Sequence, residues 1–247
     1  MSGGEESILT VAREVHQALL PKEVPTIQGL DLSGATIPAY AVGGDYFDFL
    51  AADGALFAVV ADVMGKGLKA ALLMLGLRST LRSVVRLKAD HRAILEHLNA
   101  LVGEDLSRNG AFATLCLGTI YPGKGQVVLT NAGHCPPLLV RGGTSAFLPC
   151  RGVALGLLGG PPSVETLSLD LTAGDTLLFY TDGLVEARSP EGQKFGRARL
   201  AEAATALGHL PAQTIKERLL ELLEEFTAGG GQRDDVTLAV VKLQEGR

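Results

Sequence analysis

The chain of 247 residues carries 27 acidic and 22 basic side chains, a formal net charge of −5, with 47% hydrophobic and 20% charged residues. That balance supplies one substantial core or two small ones, excludes an intrinsically disordered protein and leaves no electrostatic footprint for nucleic acid. Three scattered cysteines (Cys116, Cys135, Cys150) without a CxxC argue against a disulfide framework and for a reduced, cytoplasmic setting.

The N-terminus, "MSGGEESILTVAREVHQALL", carries acids where a signal peptide carries bases. No apolar run approaches the ~20 residues of a membrane span, so no membrane insertion is expected. Ile8, Val11, Ala12, Val15 and Leu19 recur at helical spacing, which predicts a helix over residues 7–20 that Pro21 ends. Such a stripe can pack on its own domain, pair with a second copy or receive a signal from a partner; the spacing alone does not choose. "KEVPTIQG" reads as a linker.

Strand-like segments follow: "LDLSGATIPA", "DYFDFLAA" and "ALFAVVADV", with a hairpin signal in "DG" at 53–54. "KGLKAALLMLGLRSTLRSVVRLK" predicts a long helix with Leu68, Ala71, Leu72, Leu75 and Ser79 on one face, and "HRAILEHLNALVGEDL" a second. Arg78, Arg82 and Arg86 form a stripe on the first, read as a solvated face or an acidic-partner surface. Five strand-like segments run from "FATLCLGTIYP" to "DTLLFYTD". Then come the helical "GRARLAEAATAL" and "AQTIKERLLELLEEF", a flexible "TAGGG" and a last strand, "DVTLAVVKL". Runs of strands with hairpin-length turns, broken by helix pairs, predict an α+β layered domain with antiparallel sheets.

The carboxylates fall at telling places. "ALFAVVAD", "DTLLFYTD" and "DDVTLAVVKL" are apolar nearly throughout, as strands covered on both faces are. Two end in Asp62 and Asp182; the third begins with Asp234 and Asp235. If the third strand runs antiparallel to the other two, Asp62, Asp182 and Asp234 gather on one edge of a buried sheet. Asp45 follows "VGG" before another strand. Clustered carboxylates repel and resist desolvation, and no Lys or Arg lies within these runs near the aspartates. An all-oxygen set of this kind suits Mg²⁺ or Mn²⁺ better than Zn²⁺. Taken singly, each aspartate also serves as a strand cap or turn residue.

"VGGDYFDF", "VVADVMGKGLKAAL", "TNAGHCPPLL", "GVALGL", "GDTLLFYTDGLVEAR" and "QRDDVTLAVV", in that order, resemble the metal-dependent protein phosphatase family (PPM, type 2C) in its bacterial SpoIIE/RsbU-like branch. The resemblance covers roughly residues 30–243. It implies a four-layer α-β-β-α sandwich, two antiparallel sheets flanked by helix pairs. It divides the chain into an N-terminal regulatory helix and linker (1–28) and a phosphatase domain (29–247). It implies hydrolysis of protein phosphoserine or phosphothreonine by water activated on two Mn²⁺ or Mg²⁺ ions. Asp62 resembles the carboxylate bridging both ions and the Val63 carbonyl the ligand next to it. Asp182 and Asp234 resemble further ligands, and Asp45 the acid holding one ion directly or through water. The doublet leaves Asp234 against Asp235 open. Asp48 lies three residues from Asp45 and faces the other way on a regular strand.

The branch implies a phosphorylated anti-sigma-factor antagonist in partner switching as substrate, and an activator or a second copy bound through residues 7–20. Few residues precede that helix here, which suggests a stand-alone phosphatase or one controlled by a separate partner or by dimerisation. The phosphate-gripping arginine of the eukaryotic branch has no counterpart in "ATIPAYAVGGD". Lys66 with the backbone of Gly65 and Gly67 at a helix start can replace it, or Lys66 is a solvated turn residue. Two other functions stay in play: a weak or inactive binding module of the same fold, and a Zn²⁺ enzyme centred on His134 and Cys135. Against the second, "NAG" is turn chemistry and His134 has no partner at ligand spacing.

Overall fold

The computed structural model describes residues 3–52, 54–87, 90–160, 162–228, 230 and 232–244. Helix α1 (Gly3–Leu19) leads into β1 (Leu30–Ile37), β2 (Asp45–Ala52) and β3 (Ala55–Val63). The helix pair α2 (Gly67–Val84) and α3 (His91–Arg108) follows, then β4 (Ala113–Tyr121) and β5 (Gln126–Ala132). The short strands β6 (Leu138–Arg141), β7 (Thr144–Phe147), β8 (Thr166–Asp170) and β9 (Thr176–Tyr180) come next. The chain then forms α4 (Asp182–Glu186), α5 (Gly196–Leu207), α6 (Ala212–Thr227) and β10 (Val236–Leu243).

Two antiparallel five-stranded sheets result, ordered β1-β10-β9-β6-β7 and β2-β3-β4-β5-β8. Side-chain alternation then builds the layers. On β3, Leu56, Ala58 and Val60 enter the apolar layer between the sheets, where they meet Leu177, Phe179, Ala239 and Val241. Val59, Ala61 and Val63 point the other way, onto Met74, Leu77 and Leu81 of α2 and Leu95 and Leu98 of α3. Across the sandwich, Leu178, Tyr180, Leu238 and Val240 face Leu200 of α5 and Ile215 and Leu219 of α6. This is the expected α-β-β-α order. The hairpin expected at 53–54 joins β2 to β3 with Ala52 opposite Ala55 and Gly54 at φ +76°; Asp53 lies outside the described residues. Residues 229 and 231 of the "TAGGG" stretch also lie outside them.

Three expectations change. β10 does run antiparallel to β9, but β3 belongs to the opposite sheet, so the acids do not share one sheet edge. An apolar run says a strand is covered on both faces, not which sheet holds it. The buried face of α2 is Ala70, Ala71, Met74, Leu77, Leu81 and Val84, so Ala71 of the expected face is buried while Leu68 and Leu72 are exposed, because a helix apolar nearly all round gives an ambiguous stripe. Arg82 does not belong to a solvated face: it pairs with the buried Asp48 of β2, which also accepts from the Tyr46 hydroxyl.

For α1 the sequence left the cover of the stripe open. Ile8, Val11 and Val15 are 63%, 56% and 49% exposed, while Ala12 and Leu19 are half-buried. The flank of the stripe, beside Ala12 and Leu19, carries the buried His16, whose Nε2 lies 3.1 Å from the carbonyl oxygen of Gly43. Among the described residues, no helix is long and apolar enough to cross a membrane.

Candidate active site

Alternation explains how the acids meet. Asp62 continues the inward face of β3, and Asp45 stands directly opposite it at the start of β2. Thr181, just past β9, continues the inward row of Leu177 and Phe179 and donates its hydroxyl to Asp45 Oδ2 at 2.7 Å. The same hydroxyl oxygen accepts the Thr237 amide at 2.9 Å. Thus the other sheet's chain ends deliver Asp182 and Asp234 to the end of the sandwich where Asp62 and Asp45 emerge. A cavity of about 280 Å³ opens there, lined among others by Asp62, Gly65, Lys66, Thr114, His134, Cys135, Asp182 and Asp234.

Asp45 lies beneath the cavity, 2% exposed, and Asp62 forms its wall. The doublet is divided by its surroundings. Both Asp235 oxygens accept backbone amides, from Ala39 at 2.8 Å and Gly44 at 2.8 Å. Its side chain therefore ties the loop before β2 to the start of β10. Asp234 is half exposed and lines the cavity. The glycines of the motifs make room for these contacts. A Cβ at Gly43 would sit 2.0 Å from Asp235 Oδ2, and one at Gly44 would sit 2.5 Å from the Val63 carbonyl oxygen. One at Gly183 would sit 1.9 Å from the Asp235 carbonyl oxygen.

Burial first, and then the neighbouring Asp62, hold the Asp45 carboxyl well above the usual range. Burial, with Asp182 and Asp234 next, pushes Asp62 up to about 7. Asp182 is raised by burial and by Asp234. Each of these shifts records negative charge lacking a counter-charge. Lys66 is the cation at hand, but it is committed: it pairs with Asp234 at 3.3 Å and donates to the Arg233 carbonyl. It caps α2 between Gly65 at φ +112° and Gly67 at φ +67°. Gly65 and Lys66 line the cavity.

Among the described residues, no three His, Cys, Asp or Glu side chains close into a metal cage by themselves. The donor set fits hard divalent ions nonetheless. Mg²⁺-like ions take one or two carboxylates and keep several waters, so a row of acids beside an open cavity suits them. A soft-metal site fits less well. His134 Nδ1 is engaged with Thr114 Oγ1 at 2.7 Å, and burial pushes the Cys135 thiol up to about 11.

The sequence reading missed three groups here. Thr181 supports Asp45 across the sheets; the Asp48–Arg82 pair fastens the strand of Asp45 to α2; and Thr114 and His134 wall the cavity. Thr181 sits between an apolar run and an acid, where nothing in the pattern marks a hydroxyl as used. Asp48 and Arg82 lie 34 residues apart on different elements.

A sandwich of two antiparallel sheets between helix pairs, with acids converging at one end, is the architecture of type 2C protein phosphatases. The SiaA PP2C domain of Pseudomonas aeruginosa superposes with a TM-score of 0.88 at 21% identity, over 99% of this chain and all of that one. The family model for stage II sporulation protein E (SpoIIE) matches residues 52–244. The chain belongs to that SpoIIE/RsbU-like branch of the metal-dependent protein phosphatase family. Among curated relatives, Protein IcfG of Synechocystis is 32% identical over 94% of this chain. The phosphoserine phosphatase RsbU of Bacillus subtilis is 26% identical over 96% of this chain and 70% of its own length. The chain spans only 41% of the length of IcfG.

Proposed function

We propose that this chain is a metal-dependent serine/threonine protein phosphatase. Its substrate is a phosphorylated regulatory protein of the anti-sigma-factor-antagonist kind, in partner-switching signalling. The observation that carries this reading is the meeting of Asp62 from one sheet with Asp182 and Asp234 from the other around one open cavity, with the buried Asp45 directly opposite Asp62. Kinship with RsbU supports phosphoserine as the target.

In this reading Asp45, Asp62, the Val63 carbonyl, Asp182 and Asp234 would hold two Mn²⁺ or Mg²⁺ ions. Bound there, the ions supply an activated water and offset charge on the phosphoryl group. The chain's own residues do the rest. Asp235 and Thr181 fix the loop and strand that carry Asp45. Gly65 and Lys66 on the cavity wall offer backbone and ammonium contacts to the phosphate. Open access at that wall suits a phosphoserine on a protein loop.

Residues 1–28 act as a regulatory arm on the domain 29–247. The exposed Ile8, Val11 and Val15 supply the surface for an activator or a second copy, and His16 joins the arm to the loop before Asp45. The three free cysteines suit a cytoplasmic protein.

The test is phosphate release from p-nitrophenyl phosphate and a phosphoserine protein with added Mn²⁺. Release that Asp62→Asn and Asp182→Asn each abolish supports the reading. Parent protein that hydrolyses neither substrate, with activating partners present, leaves the inactive binding module as the function.

A further inference from the structure

One wall of the cavity is not used by the ligand set: the turn at residues 131–135, "NAGHC". Asn131 closes this turn alone. Its Oδ1 accepts the His134 amide at 2.6 Å, and its Nδ2 donates to the carbonyls of His134 and Cys135 at 3.0 and 3.3 Å. The backbone under His134 is therefore fixed, and so is the direction in which the ring leaves it.

The two ring nitrogens reach different sheets. Nδ1 lies 2.7 Å from the hydroxyl of Thr114, and Thr114 stands directly opposite Asp62 in the β3–β4 ladder. Nε2 is buried with no hydrogen-bond partner among the described residues, and the backbone of Tyr180 lies near enough to the ring to raise its pKa against burial. Tyr180 ends β9, two residues before Asp182. The sheets share no ladder, so side chains set the separation of their acids. Thr181 does this for Asp45, and Asp235 for the loop before it. On the β4 side of Asp62, the spanning group is the His134 ring.

We infer that His134 is a positioning residue: wedged between Thr114 and the end of β9, it holds Asp62 and Asp182 at the separation that binds metal. The inference rests on the ligand set proposed above. It accounts for the residue type. A flat ring with a polar atom at each end spans two strands without rotamer freedom, and burial keeps it neutral, with its pKa lowered to about 4. It thus adds no positive charge against the ions and offers them no free Nδ1.

Groups that orient metal ligands commonly change affinity 10–100-fold when removed. The experiment is calorimetric titration with Mn²⁺ of the parent, His134→Ala, His134→Asn, Thr114→Val and the His134→Ala/Thr114→Val double variant, each also melted without metal. His134→Ala is expected to weaken Mn²⁺ binding 10–100-fold while its metal-free melting stays near that of the parent. His134→Asn, whose amide can still reach Thr114, is expected to recover most of the loss. The double variant is expected to bind no more weakly than the worse single one.

Parent-like affinity in His134→Ala overturns the inference, as does full additivity in the double variant. Should His134→Ala fail to fold, parent-like affinity in Thr114→Val overturns it and weakened affinity supports it. A parent that binds no Mn²⁺ removes the ligand assignment itself and this inference with it.

Discussion

Replacing Arg82 with Met tests the account of how the strand carrying Asp45 is held. Asp48 is 3% exposed and sits on the α2 side of β2. Without Arg82 it keeps two hydrogen bonds, from the Tyr46 hydroxyl and the Phe49 amide, but loses its counter-charge. Breaking a fully buried pair by removing one partner costs about 3–5 kcal/mol. The Arg82 side chain is 36% exposed, so solvent already screens part of that. A loss of about 2 kcal/mol follows, which lowers the melting temperature of a domain this size by about 4–8 °C.

Asp48→Asn in the same protein removes the stranded charge. The double variant should therefore lose less than the sum of the singles, by about 1 kcal/mol. Urea unfolding followed by circular dichroism measures all four proteins. An Arg82→Met protein within about 0.5 kcal/mol of the parent, the range of ordinary surface changes, refutes the reasoning and returns Arg82 to solvent.

Other consequences are equally open to measurement. The His91 ring is buried between the hydroxyls of Thr119 (2.6 Å from Nε2) and Thr130 (2.8 Å from Nδ1), and burial lowers its pKa to about 4. The fold thus prefers the neutral ring. Its contribution is complete above the unfolded value near 6.5 and is lost as pH falls toward 4, on the order of 3 kcal/mol. Unfolding curves from pH 7 to 4.5 should fall less steeply for His91→Gln than for the parent. The doublet should split by assay: Asp235→Ala, which strands two buried amides, lowers melting by several degrees, whereas Asp234→Asn keeps the melting temperature and loses Mn²⁺-dependent turnover. Gly43→Ala drives a Cβ into Asp235 and should destabilise strongly in a chemical melt. Deleting residues 1–22 should change activity or mass in light scattering more than it changes melting, because Ile8, Val11 and Val15 of α1 stay largely exposed.

Much of this was legible in the sequence because burial writes itself into strands. β3, β9 and β10 stand out as unbroken apolar runs, and the acids at their ends mark the site. The order of helix pairs and strand runs carries the layers. The partition between sheets was not legible, since Val60 and Val241 need only an apolar neighbour on each face and a facing sheet supplies it as well as a helix does. Nor could periodicity show which side of α1 docks. There His16 is the buried residue, while Ile8, Val11 and Val15 of the apolar stripe stay exposed. Asp234 and Asp235 differ because, in the turn that leads into β10, one carboxylate meets backbone amides and the other stays at the cavity, a distinction that needs the packing of the loop before β2. The "NAGHC" turn was readable as turn chemistry, but its place beside Asp62 depends on the pairing of β4 with β3.

The central claim is that acids from two sheets form one centre for two divalent ions. Titrating Mn²⁺ into metal-stripped protein and counting bound ions per chain tests it most directly. The account expects two Mn²⁺ per chain in the parent, with at least one site lost in Asp62→Asn and no effect of Cys135→Ser. Absence of Mn²⁺ binding, or binding that survives Asp62→Asn and Asp182→Asn but fails in Cys135→Ser, would contradict it.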